Sequence, residues 1–130
     1  MLAQDLMGLG VSPLIAARTA NAGTGPLTIV AAGSAFSSAT KIGATQYVCS
    51  NATAGGLSVA LPTVGTDGGA YLGDDYLINN AVTASLNVFL STGVAISANG
   101  TLNSSIVLSS HQTLACFPIK ASLWIGVLGN

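Results

Sequence analysis

The short, frequently interrupted apolar runs after Pro26 are the feature that most restricts how this chain can fold. β-Branched and apolar residues occur in brief segments separated by Gly, Asn and Ser, a pattern typical of all-β sandwiches and barrels. The candidate strands span 27–32, 45–49, 57–61, 75–79, 85–90, 94–97, 105–108, 113–117 and 122–128. The sequence therefore predicts a mainly β protein, with a compact β-sandwich or barrel-like domain over residues 24–130.

Two of these candidate strands show a clear period of two. In 85–90 and again in 122–128, one set of alternate positions is entirely apolar. Because successive side chains of a strand point to opposite faces of its sheet, one face of each strand should belong to the core. We therefore expect the following residues to be buried: Ile78, Leu86, Val88, Ile125 and Val127.

The dipeptide Asn99-Gly100 is the best candidate for a tight turn. Asn and Gly both tolerate positive φ, which the two central residues of a type I′ hairpin turn require. The sequence thus predicts a tight turn here, although the flanking residues are too weakly patterned to specify a two-residue hairpin.

The N-terminal segment, residues 1–23, has a different periodicity. Its first leucines recur at helical spacing, and Ser12-Pro13 supplies an N-cap and a first helical residue. We expect two short helices, near 3–8 and 13–20, that form an N-terminal helical arm and need an apolar partner. Either this arm folds back onto its own sheet, or it binds another protein through Leu2, Leu6, Leu9, Leu14 and Ile15.

Charge is scarce in this chain. Only 5% of the residues are charged and 50% are hydrophobic, with a net charge of -1, whereas an ordinary soluble domain has about 25% charged residues. Near-neutral, weakly polar surfaces tend to associate, so we infer that neighbouring chains cover much of the surface. Three cations are too few to drive nucleic-acid binding, so no nucleic-acid partner is expected. The sequence has no uninterrupted apolar run of about 18 residues, which is the length that a membrane-spanning helix needs, so no membrane partner is expected.

Groups that could carry chemistry are few and scattered. Asp74 and Asp75 are adjacent, so in a strand they would point to opposite faces and could not act as a carboxylate pair. His111 lies in a polar segment that predicts a surface loop, and no GxSxG motif accompanies it. Cys49 and Cys116 lack CxxC spacing and are expected to be buried thiols. The sequence predicts no catalytic residue, cofactor, metal site or small-molecule substrate, and a small hydrolase is the weaker alternative.

Several segments together resemble small virion proteins of tailed bacteriophages. They are Leu61-Pro62, the glycine-rich stretch 65–73, the strand Tyr76-Leu77-Ile78-Asn79-Asn80, the run 86–90 and the closing strand with Trp124. The opening from Asp5 to Leu14 also looks like the start of such proteins. What the resemblance implies is a capsid decoration, or cement, protein.

Such a protein is not an enzyme. It binds the outside of a phage capsid and stabilises the joints between capsomers. The expected partners are the major capsid protein and copies of the chain itself, as a trimer, since threefold capsid joints suit closed cyclic assemblies. Met1 to Met7 do not resemble a secretory signal, so we expect assembly in the host cytoplasm and a final location in the virion. A head-fibre or tail adaptor component is the alternative.

Overall fold

The computed structural model describes residues 27–42, 46–52, 57–65 and 69–129. Over these ranges the chain is mainly β, with strands and turns and no helix. The predicted helical arm, 1–23, lies outside the described residues. So do all five of its proposed partner-binding residues: Leu2, Leu6, Leu9, Leu14 and Ile15.

The strands are short and follow one another closely. In chain order they are β1 (Leu27–Ala31), β2 (Thr40–Lys41), β3 (Gln46–Ala52), β4 (Ser58–Ala60), β5 (Tyr76–Asn80), β6 (Leu86–Phe89), β7 (Ala95–Ala98), β8 (Thr101–Asn103), β9 (Ser105–Leu108), β10 (Thr113–Lys120) and β11 (Leu123–Gly129). Each of the predicted strands is present, with its ends shifted by a few residues at most. The sequence pattern missed β2 and β8, which are too short to show a period.

The strands form two mixed sheets. The larger has seven strands in the order β1-β3-β5-β10-β11-β7-β8, and the smaller has four in the order β2-β4-β6-β9. From β1 to β6 the chain alternates between the two sheets, and each new strand lies parallel to the previous strand of its own sheet. The first half of the domain therefore winds as a coil, in the manner of a β-solenoid. Strands β7 to β11 follow this coil, and all of their pairings are antiparallel except that of β11 with β7, which is parallel.

One turn confirms the prediction made from its sequence. Ala98 at the end of β7 pairs with Thr101 at the start of β8, which leaves Asn99 and Gly100 as a two-residue loop. Their φ angles are 51° and 81°. Positive φ at both central residues is the property of a type I′ hairpin turn, whose twist matches that of the flanking strands.

Both sheets contribute to one hydrophobic core. Ile78, Leu114 and Trp124 come from the seven-stranded sheet, and Leu86 and Val88 come from the four-stranded sheet. The largest of these side chains, Trp124, is 1% exposed. Its ring meets that of Tyr76 edge to face, with 5.3 Å between the ring centroids and an interplanar angle of 61°. Such pairs add to the stabilisation that comes from burial alone.

The predicted phase of the last strand was wrong. Ile78, Leu86 and Val88 are buried as expected, but Ile125 is only partly buried and Val127 is 62% exposed. The core side of β11 carries Trp124 and Gly126 instead. The indole packs edge to face on Tyr76 in the core, and a glycine fits beneath its neighbours: a Cβ at position 126 would lie 3.0 Å from the Cδ1 atoms of both Ile96 and Leu114.

Asn80 ties the end of β5 to two loops. Its side chain is fully buried, and its Nδ2 donates to the carbonyl oxygens of Ala84 at 2.8 Å, Leu108 at 3.2 Å and Ser109 at 3.1 Å. Its Oδ1 accepts a hydrogen bond from the backbone N–H of Val82 at 3.2 Å. All the polar atoms of this buried amide are therefore satisfied.

Candidate functional site

The outward face of the seven-stranded sheet is apolar over most of its width. Residues paired across neighbouring strands point to the same side of a sheet, so the strand register fixes the rows of this face. One row runs Leu77–Ala115–Val127 across β5, β10 and β11. The next runs from β10 to β8 and consists of Phe117, Ile125, Ser97 and Leu102. We call these two rows the outer apolar face.

The large side chains of the outer apolar face are exposed. The exposed fractions are 40% for Leu77, 38% for Phe117, 62% for Val127 and 66% for Leu102. Their strand neighbours Ile78, Cys116, Trp124 and Ile96 point inward and are buried. In the described part of the chain this face thus holds four of the eight large hydrophobic residues that are exposed, and a monomer rarely leaves such residues contiguous without an interaction that covers them.

The outer apolar face contains no charged residue, and polar groups lie at its borders. On one side Asn79 and Thr113 form the neighbouring row, where the Nδ2 of Asn79 donates to the Oγ1 of Thr113 at 2.8 Å. On the other side the exposed Lys120 pairs with Leu123. An apolar centre with a polar rim is the usual anatomy of a protein–protein interface.

Three of the four sheet edges, at β1, β2 and β8, are poorly suited to adding a strand. Thr40–Lys41 and Thr101–Asn103 are very short edge strands, and β1 carries a register shift between Ile29 and Val30. Short and irregular edges are the devices by which sheets avoid pairing edge to edge. The face of the large sheet is therefore a better contact surface than its edges.

The chemically reactive residues are dispersed. His111 is exposed in a loop, as expected, with a φ of 61° and its backbone N–H bonded to the carbonyl oxygen of Asn80 at 2.8 Å. Asp74 shapes a turn, where its Oδ2 accepts the backbone N–H of Tyr71 at 2.9 Å. Among the described residues, no group of three or more His, Cys, Asp or Glu side chains is placed to hold a metal ion.

Cys116 points into the core and confirms the expectation of a buried thiol. Burial raises the pKa of the Cys116 thiol to about 12, because the apolar surroundings disfavour the thiolate. A thiol in this state is a poor nucleophile and a poor metal ligand. The second cysteine, Cys49, lies on β3, and the burial of its thiol stays a prediction.

A signal for the outer apolar face was present in the sequence. Residues 114–119 of β10 and 123–128 of β11 are apolar on both alternating sets of positions, whereas a strand with one solvated face alternates between apolar and polar residues. A strand that is apolar on both sides is expected to pack against other groups on both faces of its sheet. The prediction from alternation assigns one set of β11 to the core and leaves the other set unassigned.

A comparison with models of known protein families, with curated protein sequences and with solved structures gave no match. Within the described residues, no helix has the length and apolarity needed to cross a membrane.

Proposed function

We propose that this chain is a structural virion protein of the decoration, or cement, type, which binds the outside of a phage capsid and stabilises the joints between capsomers. The observation that supports this most strongly is the outer apolar face, which contains no charged residue in a chain that is only 5% charged. A surface of this kind suits a protein whose role is to bind other subunits and to be covered by them.

The proposal requires two separate contacts, one with the capsid and one with other copies of the chain. The finer features predicted from the sequence, a compact sandwich or barrel-like domain and an N-terminal helical arm, would act as a body and an anchor. The arm contacts the major capsid protein through Leu2, Leu6, Leu9, Leu14 and Ile15. The body contacts other copies of the chain, as a trimer, so that several arms bind at once. Linked binding events of this kind gain affinity from the raised local concentration of the second arm.

Binding to expanded capsids of the parent phage tests the proposal. Purified full-length protein should co-sediment with shells that lack it and raise the temperature at which they rupture. The variant Leu6→Lys should lose both effects, because a charge in the arm would have to be desolvated at the contact. Leu72→Lys is the matched control, since Leu72 is 61% exposed in a loop and its replacement should leave binding intact. Failure of the unmodified protein to bind shells would refute the proposal.

A head-fibre or tail adaptor component is the second candidate. One observation favours it: strands β1 to β6 wind as parallel coils, and coiled β architectures suit elongated appendages. Copy number separates the candidates. Decoration requires many copies spread over the shell surface, whereas an adaptor or fibre base requires a few copies at one vertex, and averaged images of the virion distinguish the two.

A further inference from the structure

The turn between β7 and β8 brings together the groups needed for a covalent reaction of the chain with itself. Asn-Gly occurs once in the sequence, at Asn99-Gly100. The backbone nitrogen of the residue that follows an asparagine can attack the side-chain amide carbon, and glycine obstructs this attack least because it has no Cβ. We propose that Asn99 is a site of spontaneous deamidation, at which the chain acquires a new carboxylate.

The reaction proceeds in two steps and consumes one water molecule. In the first step a bond forms between the backbone nitrogen of Gly100 and Cγ of Asn99, and the bond from Cγ to Nδ2 breaks. The proton lost by the Gly100 nitrogen passes through water to the leaving nitrogen, which departs as ammonia and leaves a five-membered succinimide ring. In the second step water adds to one of the two ring carbonyls and the ring opens. One opening gives aspartate, and the other gives isoaspartate, in which the backbone runs through the former side chain.

The other asparagines whose burial is described are less accessible than Asn99. Asn99 alone among them is exposed, and no hydrogen bond within the described residues holds its side chain. Asn79, Asn80 and Asn103 each donate hydrogen bonds through Nδ2. Asn87 is partly buried on β6 and is followed by a valine. Exposure and the following glycine therefore coincide at Asn99.

The turn is also free to reach the geometry that ring closure needs. Ring closure requires rotation about the backbone bonds of Asn99, away from its turn conformation with a φ of 51°. A Cβ placed at Gly100 would meet nothing within 4 Å, so no neighbouring group in the described part of the chain blocks this rotation. β8 is a three-residue strand at the edge of its sheet, and such elements open at little cost in free energy.

Both products change one margin of the outer apolar face. Either one adds a negative charge to a chain whose net charge is only -1, close to the exposed Leu102 on β8. Isoaspartate also adds a methylene to the backbone, so the loop between Ala98 and Thr101 no longer fits a two-residue type I′ turn. Aspartate keeps this turn, because Asp-Gly is itself a favoured type I′ sequence. We therefore expect the pairing of β8 with β7 to loosen only in the isoaspartate form.

Incubation of the purified full-length chain in mildly alkaline buffer, followed by peptide mapping with mass spectrometry, tests the proposal. Alkaline buffer favours the reaction because the Gly100 nitrogen attacks after losing its proton. Asn99 should exchange its side-chain –NH₂ for –OH at least about 10-fold faster than each of the other four asparagines, because an exposed turn opens more often than a packed strand. Asn99→Gly is the matched control: Gly-Gly also forms type I′ turns, so the turn is kept and the reacting amide is lost.

A second measurement compares the products. Anion exchange separates converted from unconverted chains, and methylation by an isoaspartyl methyltransferase identifies the isoaspartate form. Amide hydrogen exchange should then show a loss of protection over Thr101–Asn103 in the isoaspartate form, with Ser105–Leu108 unchanged. The variant Asn99→Asp carries the same charge on an ordinary backbone and should keep protection in both strands.

Two outcomes would refute the proposal: conversion of Asn99 no faster than that of Asn79, Asn80, Asn87 or Asn103, or conversion only in a parallel incubation of the chain unfolded in urea. Unchanged hydrogen exchange over Thr101–Asn103 in the isoaspartate form would overturn the effect assigned to the added methylene. The reaction needs no partner and no capsid, so a failure of the proposed function would leave it unaffected.

Discussion

The buried amide of Asn80 offers the sharpest test of how the described core and its loops depend on each other. An amide nitrogen carries two hydrogens, so its contacts with the carbonyl oxygens of Ala84, Leu108 and Ser109 share two donors. Asn80→Ala removes these donors and the acceptor for Val82, and leaves the partners buried or partly buried. At about 1 kcal/mol for each lost hydrogen bond, and more for each partner left unsatisfied, we expect the free energy of unfolding to fall by about 3 to 4 kcal/mol.

The isosteric variant Asn80→Asp adds a dependence on pH whose sign is fixed by the same contacts. A carboxylate at this buried position would face three carbonyl oxygens, so the pKa of the carboxyl group is raised in the folded state. The carboxyl group therefore stays protonated to a higher pH in the folded protein than in the unfolded chain. Stability relative to the unmodified protein should therefore be greatest at low pH and fall as pH rises above about 4, by up to about 1.4 kcal/mol per pH unit.

Urea unfolding of both Asn80 variants and of the unmodified protein, at several pH values, measures these differences. A loss below 1 kcal/mol in Asn80→Ala would show that water replaces the amide without cost, and that the loops do not depend on it. A pH-independent difference between Asn80→Asp and the unmodified protein would contradict the burial of this side chain.

Three further outcomes follow from the fold. Val88→Ala should lower the free energy of unfolding by about 1 to 3 kcal/mol, whereas Val127→Ala, at an exposed position, should change it by under about 0.5 kcal/mol; thermal melts at low protein concentration compare the two variants. Gly100→Ala should cost about 1 to 2 kcal/mol, because the φ of 81° is strained for any residue with a Cβ, and urea unfolding checks this. In a Cys49→Ser background, the thiol of Cys116 should react with a disulfide reagent at pH 8 only as fast as the protein unfolds, since its pKa is about 12; fast reaction of the folded protein would contradict its burial.

The existence of the strands was predictable from local pattern, since period-two alternation and turn residues are both local. Ser105–Leu108 was predicted with the bounds that the structure has, and Asn99-Gly100 gave the correct turn. Strands such as Thr40–Lys41 are formed by pairing with β4 and leave no periodic trace in the sequence.

The phase of β11 could not be decided from that strand alone. Both of its faces are apolar, so alternation offers two equal choices. The structure decides through residues far apart in the chain: Trp124 meets the ring of Tyr76, and the absence of a Cβ at Gly126 admits Ile96 and Leu114. Predictions of burial succeed where one face of a strand is polar and fail where both are covered.

The coiled winding of strands β1 to β6 could not be predicted from the sequence either, because successive turns of the coil differ in length. Leu27 pairs with Tyr47, about 20 residues later, whereas Gln46 pairs with Leu77, about 30 residues later, so no fixed period exists for a repeat search to find. The longer turn carries the glycine-rich stretch 65–73 between β4 and β5. Insertions of this kind are accommodated at the surface of a coil while the stacked strands keep their pairing.

The order of strands separates the two contacts that the proposed function requires. Residues 1–26 join the described domain at Leu27, the start of β1, which is the edge of the seven-stranded sheet furthest from β8. The outer apolar face begins two strands away, at β5, so an arm attached at the β1 edge starts outside it.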